Sequence, residues 1–290
     1  METLWNNVKF ALRNLRRSPG FSVVAILTLA LGIGANAAIF TVAKSVLLDP
    51  LPYSEPEKLV VVLESNPERG LPRFSVSPLN FQDFHASNQT FESLAAVDTE
   101  SFALTAEGAD PERLNVRLVT GEFFQVFGVA PRLGRAIGPE DDKPGAPKVA
   151  ILGNGLWQRR FGSEEGVLDS TLVLDGEPYT VIGVAAAGFQ EHRDIFVPMA
   201  LDYSQTGRGA HYLNVFGRLK DGVTIERAAE DLAAVAAGLE ETYPRSNSGW
   251  TTRVESLHEL TVGDFDSIVW MLLGAVALVL LIACVLTCLL

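Results

Sequence analysis

The sequence predicts a membrane-anchored α+β protein in which two transmembrane helices flank a mixed α/β external domain. Three observations lead there. Residues 21–43 and 268–290 each run for 23 positions without an Asp, Glu, Lys or Arg. A helix rises about 1.5 Å per residue and about 20 apolar residues cross the hydrocarbon core, so each run is long enough to span a bilayer. The 224 residues between them, 44–267, are acidic and switch between strand-like and helix-like patterning. Finally, the first 17 residues carry Lys9, Arg13, Arg16 and Arg17 against one acid, Glu2. Basic residues beside the first span favour a cytoplasmic N-terminus, which puts the middle segment outside the cytoplasm.

Residues 1–20 come first. Leu4, Val8, Ala11, Leu12 and Leu15 recur at helical spacing, while Lys9, Arg13, Arg16 and Arg17 supply a cationic face. This predicts an amphipathic helix on the cytoplasmic surface of the membrane, broken by Ser18-Pro19-Gly20. In the first span, residues 21–43, Ala30, Gly34 and Ala38 form a stripe of small residues that admits a second helix closely. Asn36 beside it is expected to hydrogen-bond across a helix interface, because an unpaired amide in lipid is costly. Ala35-Asn36-Ala37 also resembles a signal-peptide cleavage site. The apolar character continues through Ala38, Ile39, Phe40 and Val42, which favours a retained anchor. The second span, residues 268–290, holds the only two cysteines, Cys284 and Cys288, on one helix face. The external segment therefore has no disulfide of its own and must rely on an ordinary core, which 224 residues can supply.

Within residues 44–267, strands are expected at 59–63, 149–152, 213–219 and 251–257 from their β-branched runs. Residues 171–174 and 179–182, separated by Asp175-Gly176 and Glu177-Pro178, predict a hairpin whose loop the last two residues lengthen. The best soluble helix runs over 225–243. Ile225, Ala228, Ala229, Leu232, Val235, Ala236 and Leu239 form one stripe, with Thr224 as N-cap and Pro244 as stop. Shorter helices are expected at 78–87, 121–127 and 156–161. Residues 138–147, rich in Pro, Gly and acids, read as a loop dividing the domain into two lobes.

The charge balance and the missing motifs narrow the function. Residues 44–267 hold 34 acids and 19 bases, a net −15 that disfavours nucleic acid as a partner. No Walker-type phosphate loop, H-E-x-x-H, paired C-x-x-C or G-x-S-x-G occurs, so the sequence predicts no enzyme, no catalytic residue, no metal and no cofactor. His85, His192, His211 and His258 are scattered. Asp83 with His85, and Glu191-His192-Arg193-Asp194, read as loop or surface polar groups. Glu140-Asp141-Asp142 reads as an acidic surface loop lacking the oxygen spacing of a calcium site.

Several segments, in order, carry a family resemblance. Residues 12–21 read LRNLRRSPGF, residues 27–36 LTLALGIGAN and residues 47–53 LLDPLPY. Gly121-Glu122-Phe123-Phe124, then residues 128–135 (GVAPRLGR), 156–162 (LWQRRFG) and 174–184 (LDGEPYTVIGV) follow. Together they resemble the permease subunits of the MacB/FtsX-like superfamily of ABC transporters, closest to the acidobacterial duplicated orphan permease branch. The resemblance implies a MacB-like periplasmic core domain at 44–267, a bacterial inner-membrane location and a multi-pass topology. It also implies a separate cytoplasmic ABC ATPase near residues 4–17, pairing with a second permease unit, and a periplasmic adaptor or cargo at the external domain. In that family three helices follow the periplasmic domain. This chain stops at Leu290 in the second span, so the resemblance implies a truncated or fragmentary permease. The expected function is a non-catalytic permease subunit of an efflux or mechanotransmission system. The alternative is a two-span membrane sensor or scaffold with an external binding domain and no ATPase partner.

Overall fold

A computed structural model describes residues 53–105 and 110–262 throughout, with individual positions between 19 and 41 and between 271 and 281. The chain divides into two compact units: Met1–Asp49 with Thr261–Leu290, and Pro50–Leu260. In the first unit the described positions between 19 and 41 and between 271 and 281 are helical. Among the described residues no helix is long and apolar enough to cross a membrane. Most of the two charge-free runs lie outside the described residues, as does the basic face formed by Lys9, Arg13, Arg16 and Arg17.

The second unit contains every described strand. In chain order these are β1 (Leu59–Asn66), β2 (Leu71–Phe74), β3 (Phe91–Thr105), β4 (Glu112–Val119), β5 (Leu133–Gly134), β6 (Val149–Leu152), β7 (Thr171–Leu174), β8 (Glu177–Val184), β9 (Ile195–Pro198), β10 (Asn214–Leu219) and β11 (Thr251–Ser256). Helices α1 (Pro78–Ser87), α2 (Phe123–Phe127), α3 (Asn154–Phe161), α4 (Ile225–Thr242), α5 (Pro244–Asn247) and α6 (Leu257–Val262) are set among them. The sheet order is β11-β1-β10-β3-β4-β9-β6-β8-β5, with β2 on β1 and β7 joining β3 to β8. Only β4–β9 and β6–β8 are parallel.

These pairings make two different structures from one sheet. The first half of β3 pairs with β10, its second half with β4, and its end with β7 at Leu104 and Thr105. Since β7 pairs with β8, β8 with β6, β6 with β9 and β9 with β4, these six strands close into a ring. All six contribute to one apolar cluster, including Leu104, Val116, Leu152, Leu174, Val181 and Val197, with Leu156 and Trp157 of α3 packed into it. A small closed sheet fills its own interior with side chains and leaves no long free edge. The loop at 138–147 connects β5 and β6, both of which pair with β8. The change from open sheet to ring falls instead within β3.

The open part of the sheet, β11-β1-β10-β3, is covered on both faces. Val60, Val62, Leu94, Ala96, Val215 and Leu219 meet Phe81 and Phe84 of α1 and Ala228, Leu232, Ala236 and Leu239 of α4. Leu59, Val61, Ala95 and Val97 point the other way, into an aromatic cluster of Phe123, Phe124, Phe127, Phe189 and Phe196. Successive strand residues face opposite sides, so burial of both faces turns β1 into a continuous apolar run.

Most expected elements form where the sequence puts them. Thr224 caps α4 by accepting from the Arg227 N–H, and its expected stripe is the buried one. Pro244 ends α4 but also starts α5, because proline lacks an N–H that the first turn of a helix would leave unpaired anyway. The β7–β8 hairpin is tighter than expected. Glu177 and Pro178 pair with Leu174 and Val173, leaving a two-residue turn with Asp175 at φ 49° and Gly176 at φ 83°. Positive φ at both central residues matches the right-handed twist of the strands, which is why Asp-Gly suffices.

Candidate functional site

Two groups of polar side chains in the second unit converge on the strap at 199–213, which links β9 to β10. The first is a shallow cleft of about 240 Å³, lined by His85 of α1, Thr120, Gly121 and Glu122 before α2, Pro139 and Asp142 of the 138–147 loop, and Tyr203 of the strap. Asp142 ties three segments together: one carboxylate oxygen accepts from the Gly121 N–H at 3.1 Å, the other from the Ala200 N–H at 2.6 Å. Gly121 is required there, since a Cβ would lie 2.5 Å from the Pro139 Cα. His85 Nε2 stands 3.2 Å from Glu122 Oε1.

Burial pushes the Asp142 carboxyl up to about 6, despite the two N–H groups that favour its ionised form. Burial, with Asp142 and Glu122 nearby, pushes the Tyr203 hydroxyl up to about 12. The hydrogen bond to Glu122 holds the His85 imidazole above its usual value. The cleft thus gathers protons at mildly acidic pH. None of its lining residues is a Ser, Cys or Lys, and Thr120 already accepts from the Ala96 N–H at 3.0 Å. This chemistry is that of a protonation-dependent junction, with no activated nucleophile.

A pH dependence follows. Asp142 and His85 both bind protons more tightly folded than unfolded, so their contribution to stability is present in acid and is lost as pH rises. For Asp142 the window runs from near its ordinary 3.8 to about 6. Between pH 4 and pH 7 the wild type is expected to lose on the order of 2 kcal/mol relative to Asp142→Asn. Urea unfolding of both chains across that range checks this; parallel stability curves would refute it.

The second group is buried. Glu64, on β1, is 1% exposed. Its carboxylate accepts from the Ser77 N–H at 3.0 Å and from Asn80 Nδ2 at 2.5 Å, and lies 2.6 Å from His211 Nδ1. That imidazole nitrogen also lies 3.3 Å from the Ser75 carbonyl, so both neighbours call on it as a donor. The His211 ring stacks on Trp250 at 4.3 Å. Arg208 donates to Asn80 Oδ1 at 2.7 Å, pairs with Asp83 at 2.6 Å and lies 3.8 Å over the Tyr243 ring. Residues 208–211 of the strap are thereby clamped to α1, to β1 and to Tyr243 at the junction of α4 and α5.

The expected polar clusters resolve differently from their sequence reading. Asp83 and His85 take separate partners, Arg208 and Glu122. In the acidic triplet only Glu140 is a plain surface acid. Asp141 forms a bidentate pair with Arg135 at 2.6 and 2.8 Å, which lowers its pKa, and Asp142 is the clamp just described. Asp194 accepts from the Asn115 N–H, and Glu191 from the Gly188 N–H, so both shape loops. Glu64 escaped the sequence reading because its partners lie 13 to 147 positions away. Of the expected helix-packing residues, Ala30 and Gly34 are helical and exposed, with open space where a Gly34 Cβ would stand. Asn36 and Ala38 lie outside the described residues.

The family described as the MacB-like periplasmic core domain matches residues 22–235. A curated relative, the macrolide export ATP-binding/permease protein MacB of Burkholderia thailandensis, is 28% identical over 123 residues. That match takes in 40% of this chain and spans 19% of the relative's length. Among solved structures, the periplasmic region of MacB from Actinobacillus actinomycetemcomitans is similar with a TM-score of 0.52 at 14% identity, over 72% of this chain and 93% of that one. A permease-protein domain from Porphyromonas gingivalis gives a TM-score of 0.55 at 14% identity, over 71% and 92%. At such identity these two structures establish the fold alone.

Proposed function

This chain belongs to the MacB-like periplasmic core domain family, and from that premise we propose that it is a non-catalytic permease subunit of an ABC-type efflux or mechanotransmission transporter. One observation supports the reading: the family match begins at residue 22, inside the first charge-free run, so the matched unit takes in most of that run together with much of the external segment. Residues 21–43 and 268–290 then cross the bacterial inner membrane, residues 1–20 lie on its cytoplasmic side, and residues 44–267 are periplasmic. On this reading the energy for movement comes from a separate cytoplasmic ABC ATPase, as the family resemblance implies, since no Walker-type phosphate loop occurs within these 290 residues.

The basic face of Lys9, Arg13, Arg16 and Arg17 lies at the cytoplasmic membrane surface, beside that ATPase. Ala30, Gly34, Asn36 and Ala38 pack the first span against another helix of the same or a second permease unit. The periplasmic domain, its strap held by Glu64 and Asp142, meets cargo or an adaptor and moves as the ATPase cycles.

Affinity purification of the native full-length product from membranes tests this. An ABC ATPase is expected to co-purify, and Arg13, Arg16 and Arg17 changed together to Glu should release it. Gly34→Leu should lower crosslinking between permease copies. A product that crosslinks to itself but brings down no ATPase would overturn the transporter reading and favour the two-span sensor or scaffold.

A further inference from the structure

A second cleft, of about 410 Å³, opens beside the strap and is lined by Asp98, Glu100, Leu118, Met199, Leu201 and Tyr212. Its position follows from the topology. The pairing of β3 with β10 ends at Val97, and from there to Ala103 β3 pairs only with β4, so one edge of the strand is left open. Asp98 sits opposite Leu118 and Glu100 opposite Val116, which puts both carboxylates on the face that carries the ring's apolar cluster. Met199 continues the alternation of Ile195 and Val197 beyond β9, and its N–H donates to the Val119 carbonyl at 2.9 Å. Met199 and Leu201 pack against the cluster under α1 and α4, while Tyr212 is 38% exposed.

The cleft is therefore apolar on its floor and anionic on one wall. Neither Asp98 nor Glu100 forms a salt bridge among the described residues. One Asp98 oxygen accepts only from the Thr99 N–H. The guanidinium of Arg117 is within electrostatic reach of Asp98 but forms no salt bridge with it; its hydrogen bonds go to Thr99 Oγ1 at 3.0 Å and Gln190 Oε1 at 3.3 Å. Burial, together with Asp98 and Glu100, holds the Tyr212 hydroxyl above its usual value, which places both carboxylates within electrostatic reach of that ring. Two carboxylates that form no salt bridge among the described residues, beside an apolar floor and an aromatic ring, match a ligand with an apolar body and a positive head.

We propose that this cleft binds small amphiphilic cations, protonated or quaternary amines with an aromatic or aliphatic body, the head held by Asp98 and Glu100 against Tyr212. The apolar body rests on Leu118, Met199 and Leu201. The proposal concerns binding by the domain and stands whether or not an ATPase drives the chain.

Saturation-transfer NMR on the full chain in phosphatidylcholine nanodiscs tests it, with benzyltrimethylammonium as probe and benzenesulfonate and benzyl alcohol as the anionic and neutral comparisons; empty nanodiscs supply the lipid background. The quaternary amine is expected to bind, and the anion not. Asp98→Asn with Glu100→Gln, and separately Tyr212→Ala, should each weaken binding by about fivefold or more, as loss of ion pairing or of a cation–π contact implies. The exposed Glu100→Gln alone guards against misfolding of the double variant. Equal binding of amine and sulfonate, or unchanged amine binding in the folded variants, would overturn the proposal. Neither result depends on recovering an ATPase, so this test and the co-purification fail separately.

Discussion

Glu64→Ala should destabilise the external domain by about 3–5 kcal/mol, because it removes one side of a buried charged network and leaves the other side in place. The Ser77 N–H, Asn80 Nδ2 and His211 Nδ1 all lose the same carboxylate, which lies within 2.5 to 3.0 Å of each. The Ser77 N–H and Asn80 Nδ2 become buried donors without that acceptor, and His211 Nδ1 keeps only the longer contact with the Ser75 carbonyl at 3.3 Å. The Ser77 N–H is also the entry to α1, whose cap is the Ser77 hydroxyl, so the helix start loosens together with the strap. Glu64→Gln keeps one acceptor oxygen, and its cost should be roughly half as large. Urea unfolding followed by tryptophan fluorescence is the suitable measurement, since Trp250 stacks on His211 and senses the strap directly. A shift under about 1 kcal/mol for Glu64→Ala would mean that the network is solvated and holds nothing.

Phe123→Ala should cost a similar amount, about 3–5 kcal/mol, by a different route. The Phe123 side chain is fully buried and meets Phe124, Phe127, Phe189 and Phe196 at centroid distances of 5.1 to 6.0 Å. Removing it opens a cavity that the four rings, held by α2, β9 and the segment between β8 and β9, can close only in part. Tyr53 is coupled to the loss, since its ring packs on Phe127 at 4.9 Å and on Phe189 at 6.1 Å. Tyr53 thereby ties the segment before β1 to this cluster. Thermal unfolding should drop by roughly 10 °C or more. Phe123→Leu, which keeps most of the volume, should recover most of that; equal losses for both variants would argue for strain over cavity formation.

Among the described residues, the segments that carried the family resemblance supply mostly scaffold. Phe123 and Phe124 belong to the aromatic cluster, and Leu156 and Trp157 pack into the closed ring, where the Trp157 Nε1–H donates to the Glu164 carbonyl at 2.9 Å. Tyr53, which ends the LLDPLPY stretch, packs edge-on against Phe127 of the same cluster. Such residues are recognisable in one dimension because large apolar side chains at turns and helix starts leave a dense local signature. The residues with distinctive chemistry have no such signature. Glu64 follows an apolar run and looks like the start of a turn, while Asp142 is hidden in a triplet of acids that reads as solvent-exposed.

The sequence by itself determined the charge-free runs, the acidic middle, the family and most short elements, since periodicity, caps and turn residues are local properties of a chain. Helix α4 shows this best: Thr224, the spacing of Ala228, Leu232 and Ala236, and Pro244 specify it without any neighbour. Tertiary structure alone decided β3. Its 15 residues include Glu92, Asp98 and Glu100 and alternate poorly, yet the strand persists because β10, β4 and β7 satisfy its backbone in turn. The closure of the ring, the raised pKa of Asp142, the burial of Glu64 and the anionic cleft at Asp98 and Glu100 all depend on that strand pairing or on the strap beside it. Desolvation and charge pairing are set by which distant groups are brought within a few ångströms, and only the folded chain specifies those distances.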